Sequence, residues 1–241
     1  HIMAYVPAKL GTQHIRDRYG TMLTQSDGHL ELLDAHFYWA RLIATWEKWL
    51  DQNPLLSEKH DYVGPPYVDE FESWYQDVNS LGVEAKLCAM EWSAGIPPAD
   101  TWEEDTMSAY QCAMVNSEMF MAFMNGGVHM ACLYPSSFSV LQSRNPGRGL
   151  LEPDTLEPLP TFYMLKLFSR GLGQNLLSAF TDAERIVVVS VLDQQNERVL
   201  TYLLNKSADE KTVRITIGDD IPTAAEATSV VSRYGVGSGD S

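Results

Sequence analysis

The run Lys86-Leu87-Cys88-Ala89-Met90-Glu91-Trp92-Ser93-Ala94-Gly95 constrains this chain more than any other stretch. It is apolar enough to need cover on both faces. It also delivers one carboxylate, Glu91, and one indole, Trp92, just ahead of Gly95 and Pro97-Pro98. Short apolar runs bounded by turn signals suit the strands of a parallel sheet, which is sandwiched between helices. In such folds the chemistry gathers at the C-terminal tips of the strands. Glu91 therefore stands where a functional carboxylate is expected.

The segments around this run have the rhythm of an α/β fold. His29 to Trp39 reads as a strand ending in His36, Phe37 and Tyr38, and Val128 to Tyr134 as another. Between them lie helical stripes. Trp39, Leu42, Ile43, Trp46, Trp49 and Leu50 recur at helical spacing, as do Tyr67, Phe71, Trp74, Tyr75, Val78 and Leu81, which end at a C-cap position held by Gly82. Thr12 to Thr24 has a similar mix. Thr101-Trp102-Glu103-Glu104 has the form of a capping box opening a long methionine-rich helix, and a further helix is expected from Thr161 to Gly171. From about residue 176 the period changes from 3.6 to 2. Ile186 to Leu192, Val199 to Asn205 and Thr212 to Ile217 read as an antiparallel sheet joined by hairpins. The expectation is part of an α/β domain over 1–175, followed by a β-sandwich segment over 176–241.

Composition narrows the partners. The chain has 241 residues, 45% of them hydrophobic, and a net charge of -15. That acidity opposes any nucleic-acid backbone and gives no attraction to anionic lipid, whereas a neutral ligand such as a sugar fits it. No membrane span and no signal peptide are read, and His1-Ile2-Met3 has the look of a cloning remnant. Six histidines show neither HExxH nor ligand spacing, so no metal and no cofactor is expected. Cys88, Cys112 and Cys132 lie in apolar stretches without CxxC spacing and read as buried free thiols. The compartment stays open. Trp39, Trp46, Trp49 and Trp74 read as core by their spacing, and so does His129; Arg144 and Arg148 belong to a long polar loop.

The ordered series Asp34-Ala35-His36-Phe37-Tyr38, Met90-Glu91-Trp92, Ala131-Cys132-Leu133-Tyr134 and Pro160-Thr161-Phe162-Tyr163 leading to Gly171-Leu172-Gly173 resembles the last strands and final helix of the clan A retaining glycoside hydrolases. Within the clan it is most similar to the arabinofuranosidase and agarase-like branch. Arg198 to Ser207 is similar to the β-sandwich packed beside the barrel in those enzymes. The resemblance implies an α/β fold made of the C-terminal part of a (β/α)8 barrel and a small antiparallel β-sandwich, and a parent enzyme secreted or periplasmic. It implies Glu91 as nucleophile, His36 and Tyr38 as the residues orienting it, and Trp92 and Tyr134 as sugar-facing aromatics. A retaining glycosidase needs a second carboxyl, acting as acid and then base, about 5 to 5.5 Å from the nucleophile. In the clan this Glu follows an Asn, and the sole Asn-Glu pair here, Asn196-Glu197, falls in an expected hairpin. The implied protein is therefore a glycosidase or a fragment of one, with carbohydrate as partner and self-association as a way to cover an incomplete barrel. The alternative is a non-catalytic carbohydrate-binding or interaction protein derived from a glycosidase.

Overall fold

The structure, a computed structural model, describes residues 2–5, 20–26, 29–39, 46–51, 75–76, 78–94, 107–134, 149–207 and 209–216. In chain order these give β1 (Ile2–Tyr5), β2 (Leu30–Trp39), α1 (Trp46–Asp51), β3 (Lys86–Ala94), α2 (Ala109–Asn125), β4 (Met130–Leu133) and α3 (Pro160–Phe168). A 3-10 turn, Ser169–Gly171, then leads to β5 (Asn175–Leu177), β6 (Ile186–Asp193) and β7 (Arg198–Asn205). The first four strands form one parallel sheet in the order β1-β2-β3-β4, and the last three form an antiparallel sheet in the order β5-β6-β7. The protein is thus a mixed α/β fold.

Several sequence expectations land within a residue or two. The strand expected at Glu91 is β3, the strand ending in His36 to Trp39 is β2, and two of the three late strands are β6 and β7. Residues 78–80 are helical, and Gly82 follows at φ 71°, a left-handed conformation open to glycine at little cost. Other expectations need correction. The methionine-rich helix starts at Ala109, not Thr101. Ser108 caps it, accepting from the Gln111 N–H, while the Gln111 side chain accepts from the Ser108 N–H. Thr101 to Glu104, where the sequence suggested a capping box, lie outside the described residues. Trp39, which fitted both the strand and the helical stripe, ends β2 as the strand reading had it, and 212–216 make no strand. Trp74, Arg144 and Arg148 also lie outside the described residues. His129, expected in the core, is exposed ahead of β4.

Helix α2 is the wall shared by both sheets. Its residues from Cys112 to Phe123 are buried apart from Met114. Phe120 and Phe123 pack against Trp92 of β3, Phe123 also meets Phe37 of β2, and Phe120 meets Phe168 of α3. Val187, Val189 and Val191 of β6 and Tyr202 and Leu204 of β7 belong to the same core. Tyr202 packs on Phe168 with tilted rings whose centroids are 4.7 Å apart, close against Gly171, where an added Cβ would come within 2.6 Å of the phenol oxygen.

One polar knot sits inside this core. The Lys206 ammonium, just past β7, lies 3.1 Å from Glu118 Oε2 of α2, with both side chains at 0% exposure. The same oxygen accepts the Trp49 indole N–H of α1 at 2.6 Å, and the ammonium lies 4.9 Å from the centre of the Trp49 ring. Nearby, the Arg185 guanidinium donates to the Leu50 carbonyl at 2.8 Å, and the Lys206 N–H donates to the Arg185 carbonyl at 2.8 Å. Burial pushes the Lys206 ammonium below the ordinary lysine value, and Glu118 opposes that shift. An unpaired buried charge is costly, so the knot ties α1, α2 and the antiparallel sheet together. We expect Lys206→Met to lower stability by about 3–5 kcal/mol in urea denaturation, and Glu118→Met/Lys206→Met to recover most of that loss, because the double variant leaves no orphan charge.

The β6–β7 turn is held by Asp193. Its carboxylate accepts from the Asn196 backbone N–H, the Asn196 amide and Arg198 Nε, while Glu197 takes φ 52°. Asn196-Glu197 is thus hairpin machinery. The hydrogen bond from the Asn196 amide is the largest influence holding the Asp193 carboxyl below the ordinary aspartate value, with Arg198 adding to it. The unfolded chain therefore takes up this proton first. The contribution is complete above the ordinary aspartate range and is lost as pH falls through the lowered folded-state value. Thermal melts over a pH series should show an acid-side loss of stability that is shallower in Asp193→Asn.

Candidate functional site

The site grows from the register of β2 against β3. Asp34 pairs with Cys88 and His36 pairs with Glu91, so two steps along β2 match three along β3. On the other side Ala89 pairs with Ala131 and Trp92 with Leu133, again three steps against two. β3 therefore carries one extra residue relative to both neighbours, a bulge that re-aims the side chains beyond it. Leu87 and Ala89 belong to the core under the helices, and after the bulge Trp92 and Ala94 do too. Glu91 is left on the opposite face, with its side chain 32% exposed.

There Glu91 meets His36. Glu91 Oε2 lies 3.4 Å from His36 Nδ1, and His36 Nε2 lies 3.3 Å from Asp34 Oδ2. The other Asp34 oxygen accepts the Met90 N–H at 2.9 Å. Carboxylate, imidazole and carboxylate thus stand in a row across two parallel strands. Asp34 is almost buried, whereas His36 and Glu91 are each about one-third exposed. Beside them burial pushes the Cys88 thiol above its ordinary value, with the nearby Asp34 and Cys132 adding to the effect. Cys132 Sγ is 3.9 Å from Met90 Sδ, and all three cysteines are free. Cys88 is thereby kept a neutral, buried thiol.

The tip of β3 is held by α2. The Ala94 N–H donates to Asn116 Oδ1 at 2.7 Å, and the Asn116 amide donates to Thr161 of α3 at 3.4 Å. Both side chains are fully buried.

Of the residues expected at a site, the structure brings His36 and Glu91 together. Tyr134 follows β4 directly, 40% exposed, with its N–H donating to the Trp92 carbonyl at 3.0 Å. The Tyr38 backbone pairs with Ser93, and its side chain lies outside the described residues. Trp92 is the correction. It is 0% exposed between Phe120 and Phe123, so it is core and presents no face to a sugar. Neighbours in a strand point to opposite faces, so Glu91 and Trp92 could not both face the cleft. Asp34 was missed as a site residue, although its place two residues before His36 in a strand carried the signal. Asn116 and Glu118 were missed because both sit inside an apolar helical stripe.

Among the described residues no cluster of three His, Cys, Asp or Glu is placed to hold a metal, and no helix is long and apolar enough to cross a membrane. The Trp92 indole N–H finds no partner among them. Trp92→Ala should therefore cost about 3–5 kcal/mol of stability, and Trp92→Phe much less, since phenylalanine keeps the ring contacts and gives up no hydrogen bond. Urea denaturation of the two variants checks this, and a large loss with Trp92→Phe would contradict it.

No protein-family model matches the sequence, and a search among curated proteins finds no match. Solved structures do resemble it. A family 51 α-L-arabinofuranosidase from Bifidobacterium longum superposes with a TM-score of 0.51 at 15% identity, covering 86% of this chain and 45% of that one. An α-L-arabinofuranosidase from Thermotoga maritima, in an arabinose complex, gives 0.51 at 11%, covering 84% and 42%. A bifunctional glucanase-xylanase from a metagenome library gives 0.50 at 14%, covering 81% and 38%. This chain therefore spans less than half the length of each of these proteins. At such identities the likeness concerns the fold: the described α/β arrangement is one that these glycoside hydrolases share.

Proposed function

We propose that the chain is the C-terminal portion of a retaining glycoside hydrolase of clan A, made of barrel strands plus a β-sandwich segment, and that Glu91 is its nucleophile toward a polysaccharide or oligosaccharide. One observation carries the reading: Glu91 stands near the C-terminal end of a parallel strand, turned away from the core, with His36 of the adjacent strand 3.4 Å away. A nucleophilic carboxylate must be ionised and aimed at an anomeric carbon, and a neighbouring imidazole N–H does both. Tyr38 is proposed as a second orienting group. Tyr134, exposed at the rim, is proposed to stack on a sugar.

The acid/base carboxyl is assigned to no residue of this chain. Asn196 and Glu197 serve the β6–β7 turn, remote in role from the parallel sheet. That observation favours one second reading, a protein that binds carbohydrate through the same cleft without turning it over. In either case the parallel sheet ends in β1 and β4 among the described residues, which supports pairing with a further copy or further strands that cover these edges.

A mechanism-based fluoro-glycoside with a fluoride leaving group tests the reading, because its departure needs no proton donor. We expect a covalent adduct by intact mass, mapped to the peptide carrying Glu91 and absent in Glu91→Gln. Sugar binding by calorimetry without any adduct would instead establish the binding protein.

A further inference from the structure

We propose that Asp34 is a positioning residue that aims Glu91, acting on it from two directions at once. The proposal rests on the reading of Glu91 as nucleophile. Along β3, plain alternation continued from Leu87 and Ala89 would send Glu91 to the helix side and Trp92 to the open side. The extra residue between Ala89 and Trp92 inverts this, leaving Trp92 in the core and Glu91 in the open. A bulge frees a backbone amide from the ladder, and a buried amide needs an acceptor. Here the Met90 N–H, adjacent to Glu91 in sequence, is taken by Asp34 Oδ1 at 2.9 Å. Asp34 therefore holds the irregularity that turns Glu91 outward.

The second oxygen acts through the imidazole. Asp34 Oδ2 and Glu91 Oε2 stand at opposite nitrogens of the His36 ring, 3.3 and 3.4 Å away. Ionised carboxylates only accept hydrogen bonds, so both contacts are attractive only for a ring bearing hydrogen on both nitrogens. Asp34, its side chain 11% exposed against about one-third for the other two, is the anchored end of the row. It fixes the plane of the ring and turns the Nδ1–H toward the nucleophile, as outer carboxylates do for working histidines elsewhere.

Asp34→Asn separates this role from a purely structural one. Its amide oxygen can still accept the Met90 N–H, so the bulge is kept, while its NH2 cannot accept hydrogen from His36 Nε2. Two measurements are made on the full chain, with circular dichroism and melting temperature verifying that the variant is folded. We expect the His36 ring-nitrogen chemical shifts at one fixed pH to differ between wild type and Asp34→Asn, and labelling of Glu91 by the fluoro-glycoside to slow by about tenfold or more. Unchanged ring shifts in folded Asp34→Asn overturn the role of Asp34, and so does labelling at the wild-type rate. If wild type itself forms no adduct, the glycosidase reading falls, and the ring shifts alone decide whether Asp34 orients His36. If Asp34→Asn does not fold, Asp34→Glu replaces it: its longer arm keeps both acceptors but displaces them, and unchanged ring shifts and labelling there overturn the proposal equally.

Discussion

A helix buried on both sides is the constraint on which the rest of this structure depends. α2 faces the parallel sheet through Phe120 and Phe123 and the antiparallel sheet and α3 through the same apolar body. It therefore has no polar face to give to water, and the polar groups it carries must find partners inside. Glu118 does so with Lys206 and Trp49, and Asn116 with the Ala94 N–H and Thr161. Each of these bonds joins α2 to a different element. The polar residues of the helix thereby fix how the elements meet, while the aromatic residues supply most of the burial.

The same packing sets the site. With Trp92 wedged between Phe120 and Phe123 and Ala94 held by Asn116, the end of β3 is fixed from the helix side. Glu91 is then left for the other face, beside His36. A large indole in the core and a carboxylate in the open are two results of one backbone irregularity. Cys88 and Cys132 line the same face, and the former is kept neutral by its burial. The functional reading thus grows from a core-packing problem, which is the sense in which fold and site are one design here.

Much of this could be read from the chain. Alternation of apolar strands and helical stripes anticipated β2, β3 and β4 in order, the turn from α/β to antiparallel rhythm anticipated β6 and β7, and Gly82 marked its helix end. The hairpin around Asp193 to Glu197 was legible because Asn and Asp side chains bond locally. What failed did so for physical reasons. Thr101 to Glu104 and Ser108 to Gln111 have equally good capping chemistry, and local pattern does not choose between them. Trp39 fitted both a strand end and a helical spacing, and pairing with Ala94 decided for the strand.

Sequence alone determined which strand would carry the carboxylate, because apolar period is a local property, while the family resemblance implied a histidine of the preceding strand beside it. Only the tertiary structure decided that Glu91 rather than Trp92 faces outward. That choice depends on one extra residue in β3, on Asp34 accepting the freed amide, and on α2 claiming the indole. It also decided that Lys206, just past β7, is wholly buried against Glu118, 88 residues away in sequence. Register and long-range charge pairing come from contacts between distant segments, and no local window contains both partners.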